Sequence, residues 1–313
     1  MSRFLITGGA GFLGAWILRE LAGQGHAIRI FDRSTDRRVL HEIAGAEAGR
    51  VEWVQGDITD AAALLDAARD CTAIIHLAAL LTPACRQDPV LGAQVNVIGT
   101  LNVFQAARAQ DIRRVVYASS AAVFGPDDGA VPHPVTQYGA FKLACEASAR
   151  VYWLDEGIAS IGFRPTIVYG PGREVGLTAG PTLACREAVA GRSYTIGYSG
   201  PQDLVFVGDV AAAFAAAATS SADGAHVFPL TGGTVDLPEI VAAILTEVPG
   251  ARINFAGPEV PMAPEIRDVS FAHLLGPARR TSLSEGIAQT VAHYRQLQSV
   301  AVSPPADSAG SSR

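Results

Sequence analysis

Over its first 165 residues the chain alternates short, nearly continuous apolar runs with longer Ala- and Leu-rich stretches of helical period, and few architectures accept that order. The apolar runs fall at residues 3–7, 27–31, 51–55, 73–77, 114–118 and 160–164. None shows the polar alternation of a sheet with one wet face, so each is expected to be a strand covered on both sides. Residues 11–24, 61–68, 89–110 and 137–156 supply the intervening helices. Strand, helix, strand in repetition builds a parallel sheet through crossovers of one hand, so the expected fold is α/β with a sheet wound on both faces.

After Tyr169-Gly170-Pro171-Gly172 the texture shifts to segments punctuated by Gly and Pro, with helices expected near residues 182–190, 207–220, 238–247 and 282–297. The reading is therefore a core over residues 1–165, a smaller C-terminal α/β substrate-binding part over 166–298, and a tail over 299–313. That tail is rich in Ser, Ala and Pro and too poor in apolar surface to order itself. Net charge of −6 and scattered Lys and Arg give no basic footprint for nucleic acid. Met1 runs almost directly into the first strand, leaving no room for a signal peptide, and no apolar run reaches the roughly 18 residues of a membrane span. A cytoplasmic protein without membrane contact is expected. Four cysteines, Cys71, Cys85, Cys145 and Cys185, show no metal-ligand spacing and are expected as buried apolar residues with no metal site.

The first strand runs into Gly8-Gly9-Ala10-Gly11-Phe12-Leu13-Gly14 and then a helix, the context in which a glycine pattern signals a dinucleotide. Gly8 allows a tight turn, Gly11 a close approach of backbone to pyrophosphate, and Gly14 close helix–strand packing, while free N–H groups at Phe12 and Leu13 face the phosphates. Asp32 ends the second strand, where a carboxylate accepts from the adenosine ribose and repels the extra phosphate of NADP. Arg33 lies beside it, and NAD is the expected cofactor. Asp57 and Ile58 after the third strand suit the adenine, and Leu77, Ala78 and Ala79 after the fourth leave room for the cofactor to pass. His76 is read as a packed strand residue. The fold is thus refined to a doubly wound, Rossmann-type parallel sheet.

Tyr138 and Lys142 stand four apart on an expected helix and so share a face. An ammonium there favours the phenolate, turning a poor base into a useful one; both residues are also expected at the cofactor, with Lys142 holding the nicotinamide ribose hydroxyls. The strand at residues 114–118 ends in Ser119-Ser120, so the Ser120 hydroxyl at the sheet's carboxyl edge can polarise the same substrate oxygen.

With these motifs the chain resembles the extended short-chain dehydrogenase/reductases, the NAD-dependent epimerase/dehydratase group. The likeness includes ITGGAGFLG from Ile6, GDITD from Gly56, HLAA from His76, NVIGT from Asn96, YGAFK from Tyr138 and RPTIVYGPG from Arg164. It implies Ser120, Tyr138 and Lys142 as the catalytic set, Asn96 as structural or cofactor-lining, Thr166 beside the nicotinamide, and a homodimer through the two long helices. Members that only sense the cofactor generally lose the tyrosine or lysine; both are present here.

Departures from the family pattern bear on the substrate. Ile167 and Gln202 stand where nucleotide-sugar enzymes usually hold Asn and Arg against a diphosphate, and Ala121-Ala122 replace the Asp-Glu of sugar dehydratases. The segment between Gly125 and Tyr138 is short for an epimerase. Hydride transfer at a secondary alcohol of a sugar, sugar acid or similar small polyol is the expected reaction, with UDP-sugar 4-epimerisation as the alternative. Ser120, Arg173 and Thr178 are the expected contacts to this small hydroxylated substrate, with Arg186 a further possibility.

Overall fold

The computed structural model describes residues 2–126, 131–260 and 270–302. Strands β1 (Arg3–Thr7), β2 (Ala27–Asp32), β3 (Glu52–Gln55), β4 (Ala73–His76), β5 (Arg114–Ala118) and β6 (Ala159–Pro165) lie within a residue or two of their expected places. Beyond them come β7 (Ile167–Tyr169), β8 (Tyr194–Ile196), β9 (Gln202–Phe206), β10 (Ala225–Leu230), β11 (Thr234–Val235) and β12 (Ile253–Phe255). One parallel sheet of seven strands runs in the order β10-β6-β5-β4-β1-β2-β3. Its last strand comes from the part of the chain expected on the substrate side, so both parts build the large sheet. Strands β11, β9 and β7 form a second sheet, and β12 and β8 a third.

Period-two alternation explains why the strands read as continuous apolar runs. Phe4, Ile6, Ile28, Ile30 and Ile75 point into one core, shared with the helices Phe12–Gly23 and Val207–Thr219. Leu5, Phe31, Ile74, Val115 and Tyr117 point into a second core on the opposite face, under the helices Ala61–Ala67, Gly99–Ala109 and Gln137–Glu156. Leu5, Ile6, Ile17, Leu18 and Leu21 are wholly buried, each contributing about 1.5–3 kcal/mol through removal from water.

Helix Gln137–Glu156 matches its expected bounds, because Thr136 accepts the Gly139 N–H at its start and Gly157 ends it at φ +65°. The helix expected over 89–110 is instead broken by a π-turn at Gln94–Ile98. Pro89–Ala109 is long and apolar enough to cross a membrane, at a mean hydropathy of 1.2, yet Val103, Phe104, Ala106 and Ala107 are buried in the second core. Helices Arg38–Ala44 and Thr82–Gln87 were not expected from sequence. Residues 299–302, expected in the tail, belong to the last helix, Leu283–Val302; residues 303–313 lie outside the described residues.

Candidate active site

The sheet order reverses at β1, which pairs with β2 on one side and β4 on the other, and ligands bind in the crevice beyond such a point. A cavity of about 1660 Å³ opens there. That exceeds the roughly 300–1,000 Å³ of a site for one small ligand, so a dinucleotide and a second molecule both find room.

Gly8 adopts φ +70°, and a Cβ on it would lie 2.6 Å from the Ala78 nitrogen. No other residue fits that turn against the strand β4 exit. A Cβ on Gly14 would lie 2.5 Å from the Gly9 oxygen, so its smallness serves packing within the turn rather than the expected helix–strand contact. Gly11 caps helix Phe12–Gly23 with no side-chain acceptor, leaving the first N–H groups, including those of Phe12 and Leu13, open to an anion. This cradle fits a dinucleotide pyrophosphate.

Asp32 does more than the sequence suggested. Its Oδ2 accepts the Ala10 N–H at 2.9 Å and its Oδ1 the Ser34 N–H at 2.8 Å, so the carboxylate ties the glycine turn to β2 before any ribose arrives. Asp57 accepts from the Thr59 N–H and hydroxyl, which hold its carboxyl below the usual range. Arg33, Ile58, Leu77, Ala78 and Ala79 line the same end of the cavity. Asn96 does not line it: this buried amide accepts the Leu80 N–H at 2.7 Å and donates to the Leu80 carbonyl at 2.9 Å. Of its two expected roles, the geometry gives it the structural one, pinning the loop that follows β4.

His76 is buried between Thr7 and Thr100. Thr100 donates to the Asn96 carbonyl, so it accepts from Nε2–H while Nδ1 accepts from Thr7. Burial, with some help from the Lys142 charge, pulls the imidazole down to about 3. An unfolded histidine takes up its proton near pH 6.5. The associated stability is therefore complete above that value and is lost as pH falls toward 3, by about 2 kcal/mol at pH 5. Urea unfolding at pH 7.5 and 5.0 is expected to show His76→Gln losing about 2 kcal/mol less than wild type between the two. Equal losses would show that His76 is not held neutral.

Ser120, Tyr138 and Lys142 all line the cavity. Ser120 follows the end of β5, and its Oγ accepts the Ala122 N–H at 3.1 Å, which leaves its proton for a ligand oxygen. Lys142 is buried, donates to the Ala118 carbonyl at 2.6 Å, and holds its ammonium 5.7 Å from the centre of the Tyr138 ring. The approach of helix to strand end depends on Gly139, where a Cβ would collide with the Ala122 carbonyl oxygen at 2.0 Å. Behind this set, Glu146 accepts from the Ser119 hydroxyl and takes both Nε, at 2.8 Å, and Nη2 of Arg164. Sequence reasoning missed Gly139, Glu146 and Arg164. The available signal was a carboxylate four residues beyond Lys142, on a face that the helix buries.

On the substrate side, Thr166 lines the cavity and donates to Asp203 at 2.7 Å. Ile167, Arg173 and Thr178 line it as well. Gln202 borders the cavity but is wholly shielded from solvent, with neither amide atom partnered. Arg186 is engaged by Glu174 and Glu187 and does not reach the cavity. Among the described residues, no group of His, Cys, Asp and Glu is placed to hold a metal, and the four cysteines are buried and free. Residues 127–130 of the short segment before Tyr138 lie outside the described residues.

The sequence profile of the NAD dependent epimerase/dehydratase family matches residues 4–230. The chain is 31% identical to the UDP-glucose 4-epimerase of Mycolicibacterium smegmatis, over 94% of its own length and 98% of that protein's. It is also 31% identical to the 2-alkyl-3-oxoalkanoate reductase of Stenotrophomonas maltophilia, over 81% and 78% of the two. Among solved structures, the UDP-glucose 4-epimerase of Thermus thermophilus in complex with NAD is similar at a TM-score of 0.78 and 28% identity, across 94% of this chain and 99% of that one. The profile match runs from the second residue of β1 to the last of β10 and so spans every strand of the large sheet: the chain belongs to the NAD-dependent epimerase/dehydratase family and is an NAD-dependent enzyme of the extended short-chain dehydrogenase/reductase type.

Proposed function

We propose that the enzyme interconverts a secondary alcohol and its ketone on a small hydroxylated substrate, such as a sugar, sugar acid or polyol, rather than on a nucleoside-diphosphate sugar. One observation carries this reading. Where relatives would ligate a diphosphate, the wall offers the apolar Ile167 and an uncharged Gln202 that is shielded from solvent, and charge-assisted contacts are the strong ones for such a group. Tyr138 takes the hydroxyl proton, Ser120 donates to the substrate oxygen, and Lys142, fixed on the Ala118 carbonyl, sets the field at the phenol. NAD, when bound, supplies the hydride acceptor. Gly8, Gly11, Phe12, Leu13, Gly14, Asp32, Arg33, Asp57, Ile58, Leu77, Ala78, Ala79, Tyr138, Lys142 and Thr166 would hold it.

A second reading, a 4-epimerase acting on a UDP-sugar, is favoured by the nearly full-length similarity to the Mycolicibacterium smegmatis enzyme. Calorimetry on the NAD-loaded protein separates the two. Loss of one charge-assisted contact, about 1.5–3 kcal/mol, corresponds to roughly ten- to a hundredfold in affinity, so UDP-glucose is expected to bind only in the millimolar range. Micromolar binding, or conversion to UDP-galactose, would establish the epimerase.

We further propose a cytoplasmic homodimer. Val90, Leu91, Ile98, Val151 and Leu154 are exposed along helices Pro89–Ala109 and Gln137–Glu156, an apolar surface that a second copy would cover. Sedimentation at micromolar concentration should give twice the chain mass; a monomer would refute it.

A further inference from the structure

Four of the large apolar side chains that stand exposed on this protein border the same cavity. They are Leu81 at 42% exposure, Val135 at 71%, Val175 at 76% and Leu177 at 73%. A single exposed leucine or valine needs no explanation, but these come from three separate segments: the stretch after β4, the approach to the catalytic helix, and the loop after β7. These segments, distant in sequence, border one cavity, and an apolar patch at the edge of a site marks a surface for a ligand.

The cavity also holds an unengaged cation. Arg33, Arg38, Arg86, Lys142 and Arg173 line it. Arg38 is tied to Glu42 and Glu174, Lys142 to the Ala118 carbonyl, Arg33 sits by Asp57, and Arg86 is exposed to solvent, which screens its charge. Arg173 forms no ion pair among the described residues, and its shielded Nε has no partner. Its neighbour Glu174 is taken by Arg38 and Arg186. The Arg173 guanidinium lies over the Phe12 ring at 5.8 Å and lines the same cavity as Tyr138. A half-buried guanidinium without a counter-charge is costly, and a planar carboxylate is the group that matches its fork.

From this juxtaposition we infer that the substrate is an amphipathic hydroxy acid, with its carboxylate on Arg173 and its alkyl or aryl portion against Leu81, Val135, Val175 and Leu177. This rests on the alcohol–ketone reading above and specifies the two ends of the molecule that the reaction does not touch.

The test uses straight-chain 3-hydroxy acids of four to ten carbons and their methyl esters. Dissociation constants are measured by calorimetry on the NAD-loaded protein, and NADH formation is followed in parallel. Affinity is expected to rise two- to fourfold per added methylene at a surface of this kind, and the acids to bind at least tenfold more tightly than the esters. Leu177→Asp should flatten the chain-length dependence. Arg173→Gln should erase the difference between acid and ester while shifting the NAD dissociation constant by less than threefold. Affinities independent of chain length, or acids no tighter than esters, would overturn the inference. So would an Arg173→Gln protein that binds NAD tenfold more weakly yet still prefers acids, because the arginine would then serve the cofactor's diphosphate. Binding and turnover fail separately: acids that bind with the expected slope but never reduce NAD would sink the alcohol–ketone reading alone, and acids oxidised without any slope would sink only the amphipathic substrate.

Discussion

Tyr138→Phe is expected to lower kcat by about 10²–10⁴-fold, the usual contribution of a positioned acid–base group, while moving the NAD dissociation constant by less than threefold. The substitution deletes one oxygen and leaves the ring in place. Tyr138 stands in the first turn of helix Gln137–Glu156, whose start is held by Thr136 rather than by the phenol. Lys142 keeps its bond to the Ala118 carbonyl, so the ammonium stays where the nicotinamide ribose would meet it. The measurement is steady-state NADH formation with the alcohol that reduces NAD fastest, beside cofactor titration by protein fluorescence. A kcat within tenfold of wild type would remove Tyr138 from proton transfer.

Much of the fold could be read in advance because the large sheet is covered on both faces. Phe4 and Ile6 point one way and Leu5 the other, so strands of this kind leave unbroken apolar runs in the sequence. The strands of the second half escaped for the opposite reason. β7 is only three residues long and follows β6 after the single residue Thr166, too short for a period to show. β10, although part of the large sheet, carries Pro229 in its interior. A proline is tolerated there because this is the sheet's outermost strand, yet in sequence it argues against a strand at all.

The site was legible where spacing maps directly onto backbone geometry. A glycine turn between strand and helix, and a tyrosine and lysine four apart, need no tertiary knowledge. Roles set by distant partners could not be read in that way. Asn96 was expected in either a structural or a cofactor-lining role, and the choice rests on its amide being consumed by both main-chain groups of Leu80, a pairing that depends on how the loop after β4 folds back. Asp32 was expected to serve a ribose, and its bond to the Ala10 N–H shows only once β2 lies beside the glycine turn. Gly139 reads as an ordinary helix residue until the carbonyl of Ala122 is placed against it.

Glu146→Ala is expected to destabilise the protein by about 3–5 kcal/mol, the range for removing one partner of a buried ion pair. The side chains of Glu146 and Arg164 are only 6% and 17% exposed, so water cannot replace the lost carboxylate. Arg164 would be left stacked on the Phe124 ring, 5.0 Å from its centre, with a buried charge and no counter-charge, and Ser119 would lose the acceptor for its hydroxyl. Because Ser119 precedes Ser120, and Glu146 follows Lys142 by one helical turn, the same bonds tie β5 to the catalytic helix. Replacing both charged residues together, Glu146→Met with Arg164→Met, should cost less than Glu146→Ala, since no orphan charge remains. Urea unfolding at pH 7.5 checks both. A Glu146→Ala loss below about 1 kcal/mol, the range of an exposed pair, would show that the pair is solvated and does not hold the strand end against the helix.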